Sequence, residues 1–415
     1  MPLLPEEGNA QGEKLLLEHI LVAVIVLVCG CWYLNLVSVL FNIWTVPRLD
    51  TIHPPLPESW PKLAVIVPAC NEGDTIEATM RLRLRETYPN IEFVVVDDRS
   101  TDDTGAIADR IAADDPRFRV IHNPSLPEGW LGKVHALQKG VETTDSEWIL
   151  FTDADVHIEP GVLERVIAWC EHRKLDHIGV VPRMKVDNFV VKIFNAFFIR
   201  IAMSTPAAIY LIESPRTRAA AGIGAFNLFR RSALARTPGM ERLRLEVIDD
   251  GGVAFLLKAY GARCSVMNGS SGVSLCWYPS VGAIKRGFEK NAFAIVGYSI
   301  PVMLVACMWL VFSEWLPFFA LLQQGHPRLQ IMGGLAAVCA VSATALSSRA
   351  NGSSGAPAIF YPIAPLLMSY FLFRSGVLAV WRKGIVWRGT LYPLKTLRGF
   401  PHILLKPDKI NKNVR

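Results

Sequence analysis

Four stretches of this chain, residues 19–47, 291–313, 329–348 and 350–373, contain no Asp, Glu, Lys or Arg. Each could supply the ~20 residues that cross a hydrocarbon core of ~30 Å. With 51% apolar residues in 415, the chain is richer in them than an ordinary soluble enzyme, and the excess sits in these blocks. Residues 48–290 have an ordinary soluble composition and form the expected working domain. The flanks of the first block orient it. Glu6, Glu7, Glu13 and Glu18 precede it against a single Lys14, whereas Arg48, Lys62, Arg81, Arg83 and Arg85 follow it. Positive residues stay in the cytoplasm, so a multi-pass cell-membrane protein is expected, with its N-terminus outside and its working domain inside. The block is too long, and its N-flank too acidic, for a cleaved secretory signal, which predicts a retained anchor. A net charge of +6 is mild, and no nucleic-acid partner is expected.

The expected order is a tail (1–18), the anchor (19–47), a Pro-rich linker (48–61), the working domain (62–290), a C-terminal membrane region (291–381) and a basic cytoplasmic tail (382–415). Pro54, Pro55, Pro57 and Pro61 keep the anchor helix from running into the domain. The eight cysteines show no C-x-x-C, and the nine histidines form no H-x-x-x-H pair. Reduced thiols and no zinc site are the expectation.

Inside the domain, Leu63–Val67, Ile91–Val96 (apart from Glu92) and Trp148–Phe151 are apolar runs rich in branched or aromatic residues, as in strands covered on both faces. Helix-like stretches near 74–86, 103–113, 132–143 and 160–173 alternate with them, which predicts an α/β fold with a mostly parallel sheet. Each of the three runs ends in polar residues, namely Pro68 to Glu72, Asp97 to Ser100, and Thr152 to Asp155. Ligands bind outside the carboxyl ends of such strands, so all three clusters are expected to line one crevice.

Residues 187–212 carry Phe189, Val190, Ile193, Phe194, Phe197, Phe198 and Ile201 at helical spacing, with Lys192 and Arg200 elsewhere on the wheel. They read as one amphipathic helix, packed on the core or lying on the bilayer. Ser347 to Gly355 reads as a flexible loop between apolar blocks.

Asp153-Ala154-Asp155 is the sharpest chemical feature. Two carboxylates at a strand end can share a hard divalent cation whose other ligands are phosphate oxygens and water, and Mg²⁺ or Mn²⁺ there would neutralise a departing diphosphate. A D-x-D alone is common; here it closes an apolar strand. Asp97 and Asp98 also close a strand, where a carboxylate can accept hydrogen bonds from a base or ribose while Ser100 or Thr101 caps the next helix. Gly129, Gly132 and Lys133 do not make a P-loop, because the spacing fails and Val134 stands where a hydroxyl is required. Lys133 beside a helix N-terminus still suits a phosphate. Asp249-Asp250 opens a helix, where the pair is either a helix cap or a source of the general base that a transferred hydroxyl needs; Asp250 is the candidate base.

Taken together, Pro68-x-x-Asn71-Glu72, Asp97-Asp98-x-Ser100-Thr101-Asp102, Gly129-x-x-Gly132-Lys133, Thr152-Asp153-Ala154-Asp155 and Asp249-Asp250 resemble family 2 glycosyltransferases over about 60–270. Within that family the chain looks like the ceramide-glucosyltransferase-like membrane branch, especially bacterial hopanoid-biosynthesis-associated glycosyltransferases, which share a late Trp387-Arg388-Gly389-Thr390-x-Tyr392 segment. The resemblance implies a GT-A fold and an inverting, metal-dependent transfer from a UDP-sugar. It further implies that Pro68, Ala69, Glu72 and Asp97 hold the uridine, with Asp98 beside them. Lys133 would approach the donor, Asp153 face the ribose and Asp155 bind the metal, with Asp250 as base and Asp249 beside it.

Two departures stand out. The chain has Asp249-Asp250 where many members have Glu-Asp, and it lacks the Q-x-x-R-W motif of processive synthases. Lys285, Arg286 or Lys290 remain open as substitutes for holding the diphosphate. The lead expectation is therefore transfer of a single sugar to a membrane lipid at the cytoplasmic face. A short-chain polysaccharide synthase and a non-catalytic nucleotide-sugar-binding scaffold are the alternatives. Three C-terminal crossings would strand the basic tail outside, so either one block does not cross, residues 300–322 with Glu314 and Pro317 being the expected re-entrant or interfacial segment, or there are four shorter crossings.

Overall fold

The computed structural model describes residues 6–405; the first residues of the N-terminal tail, the side chains of Glu6, Glu7, Glu13 and Lys14, and residues 406–415 of the basic tail lie outside the described residues. A long helix α1 (Glu6–Thr45) leads into the domain. There follow β1 (Leu63–Ala69), α2 (Gly73–Arg83), β2 (Ile91–Asp98), α3 (Thr104–Asp114), β3 (Phe118–Asn123), α4 (Gly132–Glu142), β4 (Trp148–Phe151), β5 (His157–Ile158), α5 (Val162–Arg173), β6 (His177–Val181), β7 (Arg183–Met184), α6 (Phe189–Met203), α7 (Ala208–Glu213), β8 (Asn227–Arg230), α8 (Arg231–Ala235), α9 (Asp249–Ala259), β9 (Cys264–Asn268), β10 (Val273–Leu275) and α10 (Val281–Ile295). The chain ends with α11 (Ile300–Leu321), α12 (Pro327–Ala350), α13 (Ile363–Trp381), β11 (Gly384–Trp387), β12 (Thr390–Pro393) and α14 (Leu394–Gly399).

The main sheet has the order β3-β2-β1-β4-β8-β6-β9. β1 lies between β2 and β4, parallel to both, with Leu63 opposite Ile91 and Trp148, while β8 runs antiparallel between β4 and β6. The apolar runs follow from burial on both faces: Val65, Val67, Val95 and Leu150 enter one core, and Ile66, Val94, Val96, Ile149 and Phe151 enter the other.

Four helices among the described residues are long and apolar enough to cross a membrane: α1 from Glu18, α11, α12 and α13. Their ends fix the route of the chain. α11 leaves the domain and α12 returns to it, since Asn268 Nδ2 donates to the carbonyl of Ala350 (2.7 Å) and Asn351 Nδ2 to that of Pro182 (2.8 Å). Residues 351–362 then lead away again until Trp315 Nε1 of α11 donates to the carbonyl of Pro362 (3.1 Å). α13 brings the chain back, where Arg374 pairs with Glu289 of α10 (2.6 Å) and Ser375 Oγ donates to the Glu289 carbonyl (2.7 Å). Both excursions thus begin and end on the side of the domain.

Three local expectations are corrected. Residues 187–212 form two helices, α6 and α7, because Pro206 and the left-handed Ala207 (φ 51°) break the run. Ser347 and Ser348 belong to α12 and are buried, so the expected loop shrinks to its second half. Glu314 and Pro317 do not interrupt α11, which runs unbroken through both. Pro317 has no N–H to give the carbonyl of Ser313, and Trp32 Nε1 of α1 takes that acceptor at 3.1 Å. Glu314 is paired with Arg200 of α6 at 2.6 Å, their side chains 7% and 3% exposed, inside an aromatic wall of Trp32, Phe197 and Tyr361. Arg200 therefore faces the helix bundle, not solvent. Removing one partner strands a buried charge, so Glu314→Leu is expected to lose about 3 kcal/mol of stability, while Arg200→Leu/Glu314→Leu recovers most of it. Thermal unfolding in detergent checks this; equal losses in the single and double variants would contradict it.

Candidate active site

Because β2, β1 and β4 are adjacent and parallel, their carboxyl ends open on one edge, and the three polar clusters meet there. The loops are tied to one another before any ligand is considered. Asn71 adopts a left-handed backbone (φ 55°), tolerable for Asn, and its Oδ1 accepts from Thr101 N (2.8 Å) while Ser100 Oγ accepts from Asn71 N (3.0 Å). Asp102 accepts from Gly73 N (3.0 Å) and Thr104 N (3.1 Å). Ser100 and Thr101 thus join two loops instead of capping α3, whose N-cap is Asp103.

The turn holding Asp153 and Asp155 is propped from below by α2. Thr79 Oγ1 donates to the Ala154 carbonyl (2.5 Å), and the buried Arg83 guanidinium donates to the carbonyls of Asp153 (3.2 Å) and Val156 (3.4 Å). Burial pushes Arg83 down to about 10, yet it remains charged beneath the two aspartates. Asp155 is pushed up to about 6 by burial and then by the charges of Asp153 and Glu72, and it makes no ion pair among the described residues. Among the described residues no three His, Cys, Asp or Glu side chains gather around one point. Yet a largely desolvated carboxylate without a cationic partner fits a hard divalent cation that completes its shell with phosphate and water.

Lys133, at the start of α4, holds the two acidic clusters together: its Nζ lies 2.8 Å from Asp153 Oδ1 and 3.2 Å from Asp249 Oδ2. Burial would lower its pKa, but Asp153, Asp249 and Asp250 outweigh that and keep the ammonium charged. Gly132 leaves room beside it for Asp98 Oδ2 and the Arg99 guanidinium, which a Cβ there would displace. Asp98 is itself bound by Arg99 (2.8 Å) and Asn123 Nδ2 (2.7 Å).

Asp249 and Asp250 lie in the first turn of α9, where the helix dipole favours negative charge. They are not an exposed cap: Asp249 is 7% exposed and faces Lys133. Asp250 Oδ2 accepts from Gly224 N at 2.9 Å and Oδ1 from Gly251 N at 2.8 Å, which fixes the orientation of the carboxylate. Burial, then the charge of Asp249, pushes it up to about 6.

Pro68, Ala69, Glu72, Asp98, Lys133, Asp153 and Asp155 line one cleft of about 610 Å³, and Asp249 and Asp250 line a small cavity that adjoins it through Pro68, Lys133 and Asp153. Asp97 stands apart, 3.0 Å from His122 Nδ1, although its Oδ1 is buried without a hydrogen-bond partner. Of the three basic residues left open on α10, Arg286 and Lys290 reach the cleft and Lys285 does not. The far wall comes from an unexpected source: Val386, Trp387, Arg388 and Tyr392, all beyond the last apolar helix.

Residues 64–237 match the family described as Glycosyl transferase family 2. The chain is 31% identical over 114 residues to the glycosyltransferase GlyG of Streptococcus pneumoniae, covering 28% of this chain and 36% of that one. It is 28% identical over 107 residues to a GalNAc(5)-diNAcBac-PP-undecaprenol beta-1,3-glucosyltransferase of Campylobacter jejuni, covering 26% and 34%. The match thus spans about a third of the length of these curated relatives. Among solved structures, the chain is similar to the mannosyltransferase PcManGT from Pyrobaculum calidifontis in complex with GDP-Man and Mn²⁺, with a TM-score of 0.50 and 21% identity over 88% of this chain and 99% of that one. The fold is GT-A, an α/β domain with a mostly parallel sheet, with apolar helices before and after it.

Proposed function

We propose that the protein is a membrane-bound, inverting glycosyltransferase that moves one sugar from a UDP-sugar to a lipid hydroxyl, the acceptor being hopanoid- or ceramide-like, with the domain on the cytoplasmic face. The observation that carries this reading is the Lys133 bridge, which sets a donor-side carboxylate, Asp153, beside the base-side pair, Asp249 and Asp250, at the edge of a nucleotide-sized cleft. Pro68, Ala69 and Glu72, with Asp98 and the unpartnered Oδ1 of Asp97 behind them, would take the uridine. Asp153 and Asp155 would hold Mg²⁺ or Mn²⁺, which when bound supplies charge neutralisation at the departing diphosphate. Asp250, aimed by Gly224 and Gly251, would take the proton of the acceptor hydroxyl as it attacks in line.

A lipid acceptor is supported by the setting of the cleft. α6 rises from the domain among the apolar helices, and Phe198, Trp277, Tyr278 and Phe288 form a continuous aromatic path from α6 to α10 beside the cleft. One relative also carries undecaprenol in its name. The proposed topology has α1, α11 and α12 crossing and residues 351–381 entering and leaving on one side, which keeps the C-terminal segment with the domain as its contacts require.

The direct test is nucleoside diphosphate release by the detergent-purified protein over a panel of nucleotide-sugars, with Mg²⁺ or Mn²⁺, with and without lipid extract. Lipid-stimulated release supports the reading; a folded protein that releases nothing with any donor refutes it. The pH profile follows from Asp250. A base must be deprotonated, so kcat/KM is expected to rise tenfold per pH unit below about 6 and to level off above it. Asp155 titrates in the same window, so the profile is measured at saturating metal, where the limb due to Asp250 persists; an acid limb that vanishes with added metal would contradict the assignment.

A further inference from the structure

β11 and β12 form a hairpin in which Trp387 pairs with Thr390, leaving Arg388 and Gly389 as its two-residue tip. Both tip residues are left-handed, with φ of 48° and 76°. A tip of this kind favours Asn-Gly or Asp-Gly, and an arginine in the first position is strained by about 1 kcal/mol. Strain of this sort persists where the side chain is needed at one place.

The hairpin is fastened to the donor side of the cleft. Gly132 N donates to Tyr392 Oη (3.3 Å), Arg99 Nη1 donates to Thr390 Oγ1 (3.3 Å), and Arg388 Nη2 reaches Glu72 Oε1 (2.5 Å). Beneath the tip, Lys290 Nζ of α10 lies 3.7 Å from the centre of the Trp387 ring. The charges of the cleft wall then fall into two groups. Arg99 is paired with Asp98, Lys133 with Asp153, and Arg388 with Glu72. Lys290 and Arg286, one helical turn apart on α10, make no ion pair among the described residues, and Asp155 is likewise without a cation. A wall with two cations outside any ion pair and an unpaired carboxylate is complementary to a diphosphate that carries a divalent cation.

We propose that the C-terminal hairpin is part of the donor site and that Arg388, together with Lys290 held by Trp387, grips the nucleoside diphosphate. This rests on the donor reading above and extends it to residues lying outside 64–237. Arg388 supplies a planar fork suited to two phosphate oxygens, and its release from Glu72 leaves that carboxylate to the nucleoside. Lys290 lies between Trp387 and the cleft, where burial and the neighbouring Lys133 charge lower its pKa to about 8, so an arriving diphosphate meets a cation that has little water to lose.

Calorimetric titration of the full-length protein in detergent with UDP and, separately, with uridine tests this. UDP affinity is expected to fall at least tenfold in Lys290→Gln and in Arg388→Gln, with uridine affinity within twofold of the parent and with Lys290→Arg recovering most of the loss. Thermal midpoints within a few degrees of the parent confirm that the hairpin stays folded. Variants that bind UDP like the parent, or that lose UDP and uridine equally, overturn the hairpin's role while leaving the donor site standing. A parent protein that binds neither UDP nor a UDP-sugar overturns both.

Discussion

Asp250→Asn is expected to lower lipid-dependent transfer by about 10³-fold, within the range for removing a positioned base, while leaving the affinity for UDP within about threefold. The asymmetry follows from where Asp250 sits. It lines the small cavity on the base side of Lys133, together with Asp249, and does not line the larger cleft. An amide preserves its shape and can still accept from Gly224 N or Gly251 N, but it cannot take a proton. Asp249→Asn serves as the contrast, because Asp249 is engaged by Lys133 and would act mainly by setting the charge around Asp250. Turnover that survives in Asp250→Asn would move the base elsewhere.

The second large effect is at Asp155. Asp155→Asn is expected to abolish metal-stimulated release, and at the same time to raise the thermal midpoint of the metal-free protein at pH 7. The sign follows from its raised pKa. The folded carboxyl holds its proton up to about 6, the unfolded one only to about 3.8, so the folded state binds more protons between those values and stability falls as pH rises through the window. At pH 7 the ionised group is a net burden on the metal-free fold, and the amide removes it. A variant that loses activity and stability together would indicate a structural role. A variant that keeps metal-dependent release would remove Asp155 from the metal site.

How much of this could be read from the chain depends on the range of the forces involved. The parallel strands and the meeting of Asp97–Asp98, Thr152–Asp155 and Pro68–Glu72 at one edge are legible because a strand buried on both faces writes itself as an apolar run. The break at Pro206 was there to be read; the strong apolar period on either side obscured it. Glu314 and Pro317 look like breaks because a carboxylate and a missing N–H are costly in an apolar helix. What offsets them, Arg200 and the Trp32 indole, lies 114 and about 280 residues away in sequence, where no local pattern reports it. The props beneath the aspartates, Thr79 and Arg83, look like ordinary helix surface for the same reason. The C-terminal hairpin is the extreme case. Arg388 meets Glu72 across 316 residues, and the chain between them passes through the sheet and every C-terminal apolar helix. An Arg-Gly step between two short β-prone runs signals a hairpin but not where the hairpin docks.

The central claim is that one sugar is placed on a lipid. The measurement that tests it most directly is mass spectrometry and NMR of the organic phase after incubating the purified protein with the donor that supports release, divalent metal and lipid extract. The account predicts a lipid whose mass has grown by a single sugar in a β linkage from an α-linked donor, absent with Asp250→Asn. A ladder of longer products, an α linkage, or labelled sugar that stays wholly in the aqueous phase would contradict it.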